Sequence, residues 1–125
     1  MFELRYRWLW VTASVVLVLG VIWGSLQTGL DFPAPAGFDK VEHFCTYLIL
    51  ALWFTGLFPR GRYWAVVGVL LLLGLSVEIS QYLMHAGRMA DPYDMAANTA
   101  GVALGIAMAL IATGGWSLKV DAWLR

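Results

Sequence analysis

Three short stretches carry the residues whose types and spacing could do chemistry, and each borders a long apolar run. The first holds Asp39, Lys40, His43 and Tyr47, the second Glu78, Gln81 and His85, and the third Arg88, Asp91, Asp94 and Asn98. On a helix of 3.6 residues per turn, spacings of three and four bring the members of each set onto one face. A carboxylate one turn before an imidazole, as Asp39 stands before His43, can fix the ring's tautomer and raise its basicity. Glu78 follows fifteen uncharged residues. At membrane depth such a carboxylate must protonate or pair with Arg88, Lys40 or a protonated histidine. Ionisable groups in that setting are costly, which makes the cluster a site by default.

The chemistry this set suits is acid–base work or the holding of a polar ligand. His43, Glu78 and Asp94 are the candidate catalytic groups. Lys40 and Arg88 are expected to hold an anionic group, Gln81 to orient Glu78 or a ligand, and Asp39, Tyr47, Asp91 and Asn98 to complete the binding site. Each has a plainer reading. Asp91 and Asp94 suit the start of a helix, Asn98 can bond a neighbouring helix, and Glu78 with Arg88 can form a structural ion pair. A metal site built from His43, Glu78, His85 and an aspartate lacks any H-x-x-x-H or cysteine-rich spacing, so neither a metal nor another cofactor is expected.

Composition says what surrounds these groups. The 125 residues have room for one domain, and 61% hydrophobic against 13% charged residues is far from the balance of soluble proteins. A membrane protein is predicted, with membrane lipids as its surroundings. The formal net charge is zero, so no nucleic-acid partner is indicated. Cys45 is the only cysteine, which excludes an intrachain disulfide, and its place in an apolar run predicts a small buried residue.

The pattern predicts an all-α bundle of four transmembrane helices at about 8–27, 41–58, 63–84 and 92–113, in a single domain spanning 1–125. The first apolar core, Trp8 to Leu26, is longer than the core of a signal peptide and reads as a retained span. Residues 28 to 40 contain Gly29, Pro33, Pro35 and Gly37 and form a loop. Arg60 to Arg62 turn the chain between the second and third helices. Asp91-Pro92 begins the fourth as cap and first helical residue, with Asp94 two residues on. Ala97, Gly101, Gly105 and Ala109 recur every four residues, a small-residue pattern that lets helix backbones approach closely.

Folding four spans up and down puts Arg5, Arg7, Arg60, Arg62, Lys119 and Arg125 on one side and Lys40 and Arg88 on the other, so the termini are expected in the cytoplasm. Tyr6, Trp8, Trp10, Tyr63, Trp64 and Trp116 then form an inner aromatic belt, and Trp23, Tyr82 and Tyr93 an outer one. The three polar stretches converge at the outer face. One copy leaves little room for a transport path, which an oligomer would enlarge.

Together these residues resemble the VanZ-like family of small bacterial membrane proteins. The likeness rests on D-K-x-x-H-F with a following tyrosine (Asp39, Lys40, His43, Phe44, Tyr47), on E-x-x-Q (Glu78, Gln81), and on R-x-x-D-x-x-D-x-x-x-N-x-x-G (Arg88, Asp91, Asp94, Asn98, Gly101). It covers about residues 38 to 105, with the first helix as a supporting segment. The resemblance implies a multi-pass protein of the bacterial inner membrane and a link to resistance against the glycopeptide teicoplanin, although a fold can travel without its phenotype. Two functions follow: binding or modifying a cell-envelope lipid or glycolipid headgroup, or acting as a non-catalytic scaffold for envelope synthesis.

Overall fold

A computed structural model of the chain describes residues 1–27, 35–84 and 91–124. The elements are α1 (Arg7–Leu26), α2 (Phe38–Leu57), α3 (Tyr63–Leu83), α4 (Pro92–Met108) and α5 (Trp116–Trp123). A single 3₁₀ turn, Arg60–Arg62, joins α2 to α3, and a π-helical stretch, Ala109–Thr113, prolongs α4. No strand occurs among the described residues. Arg7–Leu26, Arg60–Leu83 and Pro92–Thr113 are long and apolar enough to cross a membrane. The second helix matches α1 in length at 20 residues, yet Asp39, Lys40, Glu42 and His43 load its first two turns with polar groups.

That helix starts at Phe38, ahead of the expected residue 41. Gly37, at φ 84, adopts a left-handed conformation open to glycine, and the Phe38 amide bonds the Pro35 carbonyl at 3.1 Å. The first part of the expected loop, residues 28–34, lies outside the described residues.

The tightest seam runs between α2 and α4. A Cβ on Gly101 would fall on the Phe44 carbonyl oxygen and the Leu48 amide, and one on Gly105 would meet the Ala51 side chain at 2.5 Å. Of the four small residues, Gly101, Gly105 and Ala109 are buried, whereas Ala97 is only half-buried, and Asp94 and Asn98 extend the same buried face. Small residues and polar residues therefore share one stripe. On α3 the buried positions Val66, Leu70, Gly74, Val77, Glu78 and Gln81 also form a single stripe, so the apolar packing that orients the helix aims its two polar residues inward. Tyr47, Leu50, Ala51, Val66, Leu70 and Val102 make the core.

No residue of α1 is fully buried, although Leu17, Val18 and Val21 touch the core. Side-chain hydrogen bonds hold it: Trp53 Nε1 donates to Ser14 Oγ at 2.8 Å, and Gln81 Nε2 donates to the Ser25 carbonyl at 2.7 Å.

Beyond Thr113 the sequence reading expected no further helix, but Gly115 turns the chain at φ 70 into α5. This helix docks on the last turn of α2. Trp116 Nε1 donates to the Leu52 carbonyl at 2.9 Å, Ser117 Oγ to that of Gly56 at 2.5 Å, and the Gly115 amide to that of Thr55 at 3.2 Å. Trp10, Trp53 and Trp116 cluster with ring centroids 5.4–6.0 Å apart. Tyr63 is buried, its hydroxyl donating to the Thr55 carbonyl at 3.3 Å. Trp10 and Trp116 are half-buried, while Trp8 and Trp64 stand exposed. Cys45 is exposed as well. It shares an outward stripe with Val41 and Ile49, one turn either side, while Phe44 and Leu48 face α4.

Candidate functional site

The start of α2, the end of α3 and the start of α4 bring their polar residues to one end of the bundle. Lys40 is the clasp. Its ammonium lies 2.7 Å from Asp39 Oδ2, 2.5 Å from Asp91 Oδ2 and 2.7 Å from Asp94 Oδ1, joining α2 to the first turn of α4. The contact to Asp94 Oδ1 is a coulombic pair off the hydrogen-bond direction. Asp91 also caps α4, its Oδ1 accepting from the Tyr93 amide at 2.9 Å with Pro92 in the first helical position. The Lys40 ammonium first, and the Tyr93 amide second, hold the Asp91 carboxyl below the usual carboxylate range.

Deeper in, His43 Nδ1 is 3.0 Å from Asn98 Oδ1. An amide oxygen only accepts, so in this orientation Nδ1 carries the hydrogen and Nε2 presents a lone pair. That lone pair faces Asp94 Oδ2 at 3.6 Å, beyond hydrogen-bond reach. Glu78 is 5% exposed, and its Oε1 has no hydrogen-bond partner among the described residues. One ligating atom each from His43, Glu78 and Asp94 lies within 4.8 Å of the others. The Tyr47 hydroxyl, also buried and without a hydrogen-bond partner among the described residues, and the Asn98 amide both lie against Gly74, where a Cβ would be 3.0 Å from Asn98 Nδ2 and 3.2 Å from the hydroxyl. A cavity of about 20 Å³ opens beside Ser25, Glu42, His43, Thr46, Tyr47 and Gln81. It accommodates a water or a small ion, not a headgroup, so a larger ligand must bind from the open end.

The structure gathers His43, Glu78, Asp94, Asn98, Tyr47, Lys40, Asp39 and Asp91 at this end, with three corrections to the expected roles. Asp39 turns to the adjacent Lys40, and Asn98 replaces it as the hydrogen-bond partner of His43, with Asp94 3.6 Å from the other ring nitrogen. Gln81 binds the end of α1 rather than orienting Glu78. Lys40 is already engaged by three carboxylates and is not free to hold an anionic ligand. His85 and Arg88 lie outside the described residues. Gly74 escaped the sequence reading; a glycine one turn before a carboxylate in an otherwise bulky run was the available signal.

These features define an all-α protein with membrane-length apolar helices and a nest of ionisable groups at one end. The VanZ/LLP1 family matches residues 4–113, and the chain belongs to that family. The match includes α1, so the first helix is part of the family's unit and not an appended support. No curated protein and no solved structure matches the chain.

Proposed function

We propose that the chain is a four-span protein of the bacterial cytoplasmic membrane, its termini inside, whose polar end faces outward and binds the headgroup of a cell-envelope lipid or glycolipid. The observation that carries this is the convergence of His43, Glu78 and Asp94 from three helices, with buried polar atoms of Glu78 and Tyr47 left without hydrogen-bond partners among the described residues, in a chain otherwise built of apolar helices. Unpartnered buried polar groups cost stability and are retained where they meet a ligand. Five carboxylates, of Asp39, Glu42, Glu78, Asp91 and Asp94, and one engaged ammonium, among the described residues, suit a headgroup rich in hydroxyls or bearing an amine. His43 and Glu78 are the pair placed to move a proton on it.

The test is binding and turnover of labelled phospholipid and polyprenyl-linked sugar by protein in lipid nanodiscs. His43→Ala and Glu78→Gln abolish the signal while the protein still folds; unchanged behaviour in both variants sinks the proposal. The Lys40 clasp favours a second reading, a scaffold whose polar end only locks helices and presents a surface to envelope-synthesis machinery. On that reading Glu78→Gln lowers the melting temperature and partner recovery together. A role in glycopeptide response is tested by teicoplanin susceptibility of cells with and without the chain.

A further inference from the structure

We infer that His43, Glu78 and Asp94 form a binding site for a single divalent transition-metal ion of the zinc or manganese class. The three side chains come from α2, α3 and α4, and each offers one ligand atom within 4.8 Å of the others. His43 is already set as a ligand: Asn98 accepts the Nδ1 hydrogen, which leaves Nε2 with a free lone pair near Asp94 Oδ2. At 3.6 Å these two atoms are too far apart for a hydrogen bond. Two ligands of one tetrahedral zinc ion, with bonds of about 2.0–2.1 Å, stand roughly 3.3 Å apart, close to that spacing.

A separate observation points the same way. Glu78 Oε1 is buried without a hydrogen-bond partner among the described residues, and the nearest ammonium there, that of Lys40, is held by Asp39, Asp91 and Asp94. Leaving a buried carboxylate oxygen uncompensated is costly, and a cation held by Glu78, Asp94 and His43 supplies what is missing. Lys40 on Asp94 Oδ1 and Asn98 on His43 Nδ1 then act as the outer partners that orient metal ligands. An imidazole with two carboxylates selects zinc, manganese or iron over magnesium and calcium, which prefer oxygen alone. Three protein ligands leave a coordination position open. The ion can sit here whether or not a headgroup binds.

Tag-free protein purified without chelator and analysed by mass spectrometry for metals carries about one zinc or manganese per chain. After stripping with EDTA, titration with Zn²⁺ or Mn²⁺ raises the melting temperature of the wild type. His43→Ala, Glu78→Gln and Asp94→Asn lose both the metal and the shift, while Glu42→Gln, an exposed neighbour, keeps them. Asn98→Ala removes only the acceptor that orients the ring and weakens affinity by about 10–100-fold. A wild type that holds no metal and does not respond to either ion overturns the inference, as does a His43→Ala or Glu78→Gln protein that retains full stoichiometry. The wild-type measurement decides even if a variant fails to fold.

Discussion

The two ends of the bundle are both polar, yet they spend their polarity differently. At the α5 end the side-chain donors go to backbone acceptors: Trp116 to the Leu52 carbonyl, Ser117 to that of Gly56, Tyr63 to that of Thr55, Arg60 to that of Leu110 at 2.9 Å. The last carbonyls of α2 would otherwise be left open, as at any helix end, so these bonds finish the helix and fasten α5 to it. At the Lys40 end the polar groups are mainly charged and face one another. Buried side-chain atoms without a hydrogen-bond partner among the described residues occur at both ends, Trp10 Nε1 and Thr113 Oγ1 near α5 and Tyr47 Oη, Glu78 Oε1 and Asp94 Oδ1 near Lys40. The carboxylate oxygens among them are all at the Lys40 end. Donors bonded to backbone carbonyls stabilise, whereas buried charge without full compensation is costly unless something binds it. On the proposed reading, stability and function lie at opposite ends of the same helices.

If this division is right, the largest stability effects belong to the α5 end. Gly56→Ala would drive a Cβ into the Trp116 indole, and it lowers unfolding stability by about 3 kcal/mol, read as a drop in thermal midpoint by circular dichroism in detergent. Ser117→Ala leaves the Gly56 carbonyl buried and unmet for a loss of ~1–2 kcal/mol, with ligand binding at the far end unaffected. A smaller effect, and one dependent on pH, is expected at the clasp. Because Lys40 depresses the Asp91 pKa, the stabilisation from Asp91 is fully present above the unfolded carboxylate value of about 3.9 and is lost as pH falls through the lower folded value. The melting gap between the wild type and Asp91→Asn should therefore stay constant from neutral pH down to that region and close only below it. The smallest stability effect is that of Glu78→Gln in metal-free protein held in EDTA, where the midpoint stays level or rises because a buried carboxylate with one oxygen lacking a hydrogen-bond partner has been neutralised. A clear fall there would mean that the Lys40 end is a lock like its counterpart, and the contrast between the ends would fail.

Much of this was legible in residue spacing. Glu78 and Gln81 share the face that Val66, Leu70 and Gly74 bury, and Asp94 and Asn98 share the face of Gly101 and Gly105, so helical periodicity alone placed them inward. The Asp91–Pro92 start was equally plain, since local chemistry sets a helix cap. Pairings between helices were less accessible. Asp39 stands one turn from His43, but the adjacent ammonium of Lys40 takes it, and only the approach of α4 shows that Asn98 fills the vacated place. The fifth helix was hidden for a different reason. Eight residues are too few to hold a helix by propensity, and α5 depends on carbonyls contributed by a segment about sixty residues earlier. The same docking draws Trp116 away from a membrane belt and onto Trp10 and Trp53.

The first helix offers a last consequence. Lacking any wholly enclosed side chain, it touches its neighbours through shallow contacts and a few polar fastenings, among them Ser14 and the Ser25 carbonyl. Amid acyl chains, lipid neighbours can stand in for shallow apolar contacts at little cost, so those fastenings, together with the packing of Trp10 on Trp53 and Trp116, decide whether this rod stays or swings aside. Its departure would bare the flank of Gln81 to the bilayer, opening a sideways entrance beside the charged nest without disturbing the glycine seam between the second and fourth helices.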